Sequence, residues 1–143
     1  LPREKRCYFG RAMLVQDFSA VTAACLLAPK QVFDEVGGLD EKNLAVAFND
    51  VDFCLKVRHA GYWVVWTPYA ELYHYESISR GDDDAPEKRE RFNAEATCMR
   101  ERWATDCEND PFYNPNLTLD FEQPVIADPP RASRPWNDYI EAD

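Results

Sequence analysis

The order of apolar runs and turn signals along this chain predicts an α/β fold, a partial mixed sheet flanked by helices and followed by an extended proline-rich tail. Three observations carry the prediction. Near-continuous apolar runs at Ser19–Leu27 and Tyr62–Thr67 have the length and composition of buried strands. PKQVFDEVGG, NDVDFCLKVRHAG and the stretch from Pro86 to Trp103 carry helical spacing with start and stop signals. Six of the ten prolines fall after Glu108, together with NPNLTLDF and DPPRAS, a composition that breaks regular elements.

Taken in order, residues 1 to 19 are mixed and predict no single element. Ser19–Leu27 (SAVTAACLL) is rich in small and β-branched residues and reads as a buried strand. Pro29 then opens a short helix, with Val32, Phe33 and Val36 on one face and Gly37-Gly38 as its stop. Asn49 or Asp50 is expected to cap the next helix, because a short side-chain oxygen accepts an orphan backbone N–H. That helix runs to about Ala60, with Val51, Cys54, Leu55 and Arg58 at helical spacing and Gly61 as the residue beyond its end. Tyr62–Thr67 reads as a strand closed by Pro68, and the alternation of Ala70, Leu72 and His74 with Glu71, Tyr73 and Tyr75 as a second, short one. An acidic loop, Gly81 to Pro86, leads into the helix that places Phe92, Ala96, Met99 and Trp103 on one side. Two or three strands make a thin sheet, better suited to be part of a larger one than a complete fold.

Composition narrows the function. The apolar fraction of 45% and the aromatic content of 13% supply a core. A net charge of −10 argues against nucleic acid or an anionic membrane surface as partner, since both favour Lys and Arg. The five cysteines form no CxxC pair and fit no disulfide framework. Cys25 and Cys54 lie in apolar runs and are expected in the core, which suits a reducing compartment. The expected location is therefore cytoplasmic, or peripheral at the inner membrane. LPREKRC is too charged and too short for a signal peptide, and an opening on Leu-Pro reads as a piece of a longer chain.

Several residues can carry chemistry. Asp50 and Asp52 stand two positions apart on a helix, about 200° around the axis, so only one of them can face a given cleft. Asp50, on the first turn, can take a proton from an approaching hydroxyl; both acids can equally serve the positive end of the helix dipole. His74, at a strand end, can ligate a divalent metal or can be an ordinary hydrogen-bonded histidine. Ser77, Ser79 and Arg80 before Gly81 can bind a diphosphate or form a plain turn. Gly37 and Gly38 can admit a sugar close to the backbone or simply end a helix. Trp63, Trp66, Tyr69, Tyr73 and Tyr75 can stack on sugars, but their place in strand runs puts most of them in the core.

Two blocks, AVTAACLLAPKQVFDEVGGLDE and NDVDFCLKVRHAGYWVVWTPYAELYH, resemble in order and spacing the second half of the catalytic domain of family 2 glycosyltransferases, of the kind that builds bacterial surface polysaccharides. The resemblance covers roughly Val15 to Gly81, and RERW and DPFYNPNLT further on are also similar to such enzymes. It implies a GT-A fold, a nucleotide-sugar donor, a glycan or lipid-linked acceptor, Mg²⁺ or Mn²⁺, and inversion at the anomeric carbon. It implies Asp50 as general base, His74 as a residue near metal or donor diphosphate, and Asn49, Asp52, Gly37, Gly38, Ser79 and Arg80 as substrate-binding residues. Asn49 stands where many members have Glu. Asp82-Asp83-Asp84 contains the family's Asp-x-Asp metal pattern by letter, but it follows the histidine in a loop and is not assigned that role.

Residues 1–107 thus read as the carboxyl-terminal, acceptor-side part of such a domain, and 108–143 as the tail. The amino-terminal, donor-binding half is absent, so the isolated piece is expected to be inactive and to associate with itself through apolar surface left uncovered. A non-catalytic carbohydrate-binding or protein-interaction module of the same fold is the alternative reading.

Overall fold

Helix α2 (Asn49–His59) is the element around which the others assemble in the computed structural model, which describes residues 7–74, 86–121 and 124–132. It buries Asp52, Phe53, Cys54, Leu55 and Val57, a wider band than one apolar stripe predicts. The reason is that α2 has a core on each side. Phe53, Cys54 and Val57 pack with Val32 and Val64, while Leu55 packs with Leu44 and Met99. Burial also pushes the Cys54 thiol pKa up, so this cysteine is a small apolar core group.

The first core is closed by α1 (Lys30–Glu35) and by the segment around Val64. Helices α1 and α2 end in the same way. Gly38 N–H donates to the Phe33 carbonyl at 2.9 Å and Gly37 N–H to that of Asp34 at 3.3 Å; Tyr62 N–H donates to Val57 at 3.1 Å and Gly61 N–H to Arg58 at 2.8 Å. Paired bonds of this kind satisfy the last carbonyls and require a left-handed residue, supplied by Gly37 at φ +80° and Gly61 at φ +88°. The start of α2 departs from expectation. Its N-cap is Phe48, left-handed at φ +63°, with no side chain capping the turn. The ring of Phe48 packs on that of Phe92, centroids 5.2 Å apart, and this tertiary contact holds a conformation that a phenylalanine rarely adopts.

The sheet is small. β1 (Gln16–Asp17) pairs antiparallel with β2 (Val65–Trp66), Gln16 opposite Trp66 and Asp17 opposite Val65. Phe18 N–H adds a bond to the Val64 carbonyl at 2.9 Å. The strand expected over Tyr62–Thr67 is shortened to the residues that have a partner. The strand expected over Ser19–Leu27 does not form: Ala23–Cys25 is a 3-10 turn capped by Thr22, Cys25 is exposed rather than in the core, and Leu27 is 99% exposed. Ala70–His74 is irregular and exposed too, and Trp63, Tyr69 and Tyr73 lie at the surface rather than in the core. An apolar run becomes a strand only where a neighbouring strand takes its N–H and C=O groups, and among the described residues these segments have none.

Helix α3 (Pro86–Arg102) forms as the spacing predicts, turning Ala96 and Met99 inward and Trp103 partly so. Phe92 is half exposed despite lying at the expected position. After a short α4 (Ala104–Glu108), the tail folds back on the domain. Ser19 Oγ–H donates to Asp110, Arg58 donates to Ser19 at 3.1 Å, and the Arg58 guanidinium lies 5.0 Å from the Phe112 ring centroid. Farther along, Leu117 and Ile126 form an antiparallel bridge, and Arg131 donates to the Leu117 carbonyl at 3.0 Å.

Candidate active site

The first turn of α2 separates its two aspartates as the helical offset requires. Asp50 is partly exposed and turns toward the segment before α1. Its Oδ2 accepts the Ala23 N–H at 3.0 Å, and Oδ1 accepts the Val51 N–H at 2.9 Å. Each carboxylate oxygen keeps lone-pair capacity beyond these two bonds, so the group can still receive a proton from a hydroxyl that reaches it. Asn49, immediately before it, is likewise partly exposed.

Asp52 faces the other way and is fully buried. Trp103 Nε1–H donates to its Oδ1 at 2.9 Å and Arg102 Nη1 at 2.8 Å, while Lys56 Nζ sits 2.7 Å from Oδ2. Burial works to raise its pKa, but the Lys56, Arg102 and Trp103 donors outweigh that and the net shift is downward. Asp52, expected from the sequence to bind substrate, has its oxygens turned into the interior and taken up by protein donors, and it ties α2 to the end of α3.

The same clasp reaches the Gly37-Gly38 turn. Lys56 also donates to the Gly38 carbonyl at 3.2 Å, and Arg102 Nη2 donates to Asp40 at 2.8 Å. The Asn43 side-chain amide and backbone N–H, followed by Arg102, hold the Asp40 carboxyl far below its ordinary value. Gly38 is buried at φ +62°, and a Cβ there would lie 2.8 Å from the Phe33 ring. Gly37 is exposed with open space around its Cα. The pair ends α1 and docks its turn on α2.

A second anchor comes from Glu95 on α3. Its buried carboxylate accepts the Ala47 N–H at 2.6 Å and the Val46 N–H at 3.2 Å, which fixes the loop leading into α2. Reading the sequence missed Glu95, Asp40 and the partners of Asp52. The Asp52–Lys56 pair was legible as an i,i+4 ion pair, and RERW held Arg102 and Trp103, but neither pattern says which carboxylate they meet.

His74 is exposed and is the last described residue before position 75; Ser79 and Arg80 lie outside the described residues. Among the described residues no three His, Cys, Asp or Glu side chains converge on a point that could hold a metal ion. The acids near the clasp are engaged by Arg102 and Lys56. Taken up in this way, these acids do not fit a divalent cation, and Asp50 is the one of the two α2 aspartates that keeps a carboxylate near solvent. No helix among the described residues is long and apolar enough to cross a membrane.

The chain is 56% identical over 128 residues to the uncharacterized protein y4gI of Sinorhizobium fredii, a match covering 90% of this chain and 14% of that protein. It is 35% identical over 111 residues to the O-antigen biosynthesis protein RfbC of Myxococcus xanthus, across 78% of this chain and 8% of that protein. It is also 35% identical over 65 residues to the N-acetylglucosaminyl-diphospho-decaprenol L-rhamnosyltransferase of Mycobacterium tuberculosis, across 46% of this chain and 21% of that protein. The chain therefore spans less than a quarter of the length of each of these relatives. No family model matches it, and no solved structure does.

Proposed function

We propose that this chain is the acceptor-side part of an inverting glycosyltransferase of family 2 type that acts in bacterial surface polysaccharide synthesis. The observation that carries the reading is the partly exposed Asp50 on the first turn of α2, held by two backbone N–H groups while Asp52 is locked inside. The similarity to the O-antigen biosynthesis protein of Myxococcus and to the rhamnosyltransferase of Mycobacterium supports it.

In this reading Asp50 takes the proton of an acceptor hydroxyl as its oxygen bonds to the anomeric carbon of a nucleotide sugar. The bond from that carbon to the diphosphate oxygen breaks, and the nucleoside diphosphate leaves with the electron pair. Attack opposite the leaving group inverts the centre. Asn49 and the Gly37-Gly38 turn border the acceptor. The donor-binding part, the larger GT-A-type sheet and the Mg²⁺ or Mn²⁺ ion belong to the longer enzyme, with His74, Ser79 and Arg80 on the donor side. A cytoplasmic place, or one peripheral at the inner membrane, goes with this reading.

Replacing Asp50 by Asn in the longer protein tests it. Sugar transfer is expected to fall by about a hundredfold or more, the share a positioned base contributes, with donor and acceptor binding retained. Unchanged transfer would remove Asp50 as base and leave the binding-module alternative.

A further inference from the structure

The 3-10 turn that meets Asp50 buries none of its own residues. Ser19–Leu27 has the composition of a strand, yet Ala23–Cys25 winds into this turn and leaves Thr22, Ala23, Ala24 and Cys25 exposed. Both of its ends are tied down. Val21 before it and Leu26 after it pack against the first core, and the Cys54 thiol donates to the Val21 carbonyl at 3.7 Å. Asp50 and Cys54 stand four positions apart, on one face of α2. The segment therefore runs along that face, with Val21 beside Cys54 and Ala23 beside Asp50, where the Ala23 N–H donates to Oδ2 at 3.0 Å. Thr22 lies between these two contacts. Its backbone is extended, and its Oγ1 accepts the Ala24 N–H at 3.3 Å, which caps the turn and sets the direction in which the Ala23 N–H points.

The effect falls on the carboxylate. An aspartate on an exposed helix turn can rotate about both of its side-chain bonds. The Val51 N–H on Oδ1 belongs to the same turn of α2, whereas the Ala23 N–H on Oδ2 comes from a separate segment anchored in the core, and the two together fix the carboxylate plane. A base must lie within hydrogen-bond reach of the proton it takes, so a plane fixed in advance contributes to rate more than to binding. We infer that the turn Thr22–Cys25 is a positioning element for Asp50, with the Ala23 N–H as its contact and Thr22 as the residue that aims it. This deepens the sugar-transfer reading and rests on it for the reaction in which the aim matters.

Ala23 is the first residue of the turn, where a proline removes the N–H and little else, and the extended Thr22 before it tolerates a following proline. In the longer protein, Ala23→Pro and Thr22→Val are each expected to lower kcat for sugar transfer about tenfold, as a misaimed group does, with KM for donor and acceptor unchanged. Thr22→Ser, which keeps the hydroxyl, should restore the parental rate. In an Asp50→Asn background Ala23→Pro should add nothing, because the group it aims is already gone. Thermal unfolding of each variant identifies any that loses rate by losing the fold, and Thr22→Val, exposed and nearly isosteric, is the one least able to do so. Full additivity with Asp50→Asn overturns the role of the turn. So does parental kcat in both Ala23→Pro and Thr22→Val beside lost transfer in Asp50→Asn, an outcome that leaves the base standing. Unchanged transfer in Asp50→Asn sinks the base, and the role of the turn with it. The contact itself is read without catalysis: in the 143-residue chain the Ala23 amide is expected to exchange about tenfold faster in Asp50→Ala than in the parent, and equal exchange overturns the contact whatever the transfer assay gives.

Discussion

Two aspartates two positions apart in sequence have opposite fates, and the difference is what surrounds each oxygen. Asp50 meets two backbone N–H groups near solvent, whereas Asp52 meets an ammonium, a guanidinium and an indole in the interior. Removing one member of a buried ion pair strands the others, at a cost of about 3 kcal/mol or more. Asp52→Ala is therefore expected to lower stability by about that amount in urea titration, and Trp103→Phe, which deletes one neutral donor, by about 1 kcal/mol. Asp50→Asn should change stability far less. The pH dependence follows from the same residues. The folded-state carboxyls of Asp40 and Asp52 hold their protons less tightly than in the unfolded chain, so each contributes stability that is complete above the ordinary value of 3.8. That contribution is lost as pH falls from there toward the lower folded-state values. Acid unfolding followed by tryptophan fluorescence is expected to begin below about pH 4, and Asp52→Asn should make it shallower; an unaltered acid limb would show that other groups govern it.

At the scale of elements, the clearest dependence is the turn after α1. Gly38→Ala meets two penalties, a left-handed backbone and a methyl 2.8 Å from the Phe33 ring. A loss of about 1–2 kcal/mol is expected from the backbone alone. The double variant Gly38→Ala/Phe33→Ala should recover the steric share but not the backbone share, which a double-mutant cycle separates. At the second anchor, Glu95→Ala leaves the Val46 and Ala47 N–H groups without their acceptor. The loop before α2 should then exchange its amide hydrogens faster, with global stability reduced by about 1–3 kcal/mol; protection of Val46 and Ala47 equal to the parent would contradict the anchoring role.

Among the described residues as a whole, two small cores flank one central helix, and several large apolar side chains lie exposed. Leu27, Trp63, Tyr69 and Tyr73 are all more than 70% exposed. Surface of this kind drives association. Sedimentation of the 143-residue chain is expected to show a mass that rises with concentration, and a monomer throughout the range would refute it.

Much of this architecture could be read from the chain before any coordinates. The helices at Lys30–Glu35, Asn49–His59 and Pro86–Arg102 followed from spacing, from the glycines that end the first two, and from the prolines beside the starts of the first and third. These signals are local, and a helix satisfies its own backbone within a few residues. The placement of Asp50 and Asp52 on different sides of α2 was also legible, because it depends only on helical geometry. The strands were not. Whether Ser19–Leu27 or Ala70–His74 extends into a ladder depends on a partner far away in the chain, and the tertiary structure alone decides that. The same holds for the clasp: that Arg102 and Trp103 close on Asp52, some fifty residues away, is fixed by how α3 packs on α2. Local sequence thus determined where the three longer helices lie and where the first two end, and long-range packing decided how α2 is capped, which carboxylate was sealed inside and which was left facing solvent, because burial is a property of neighbours and not of the residue that is buried.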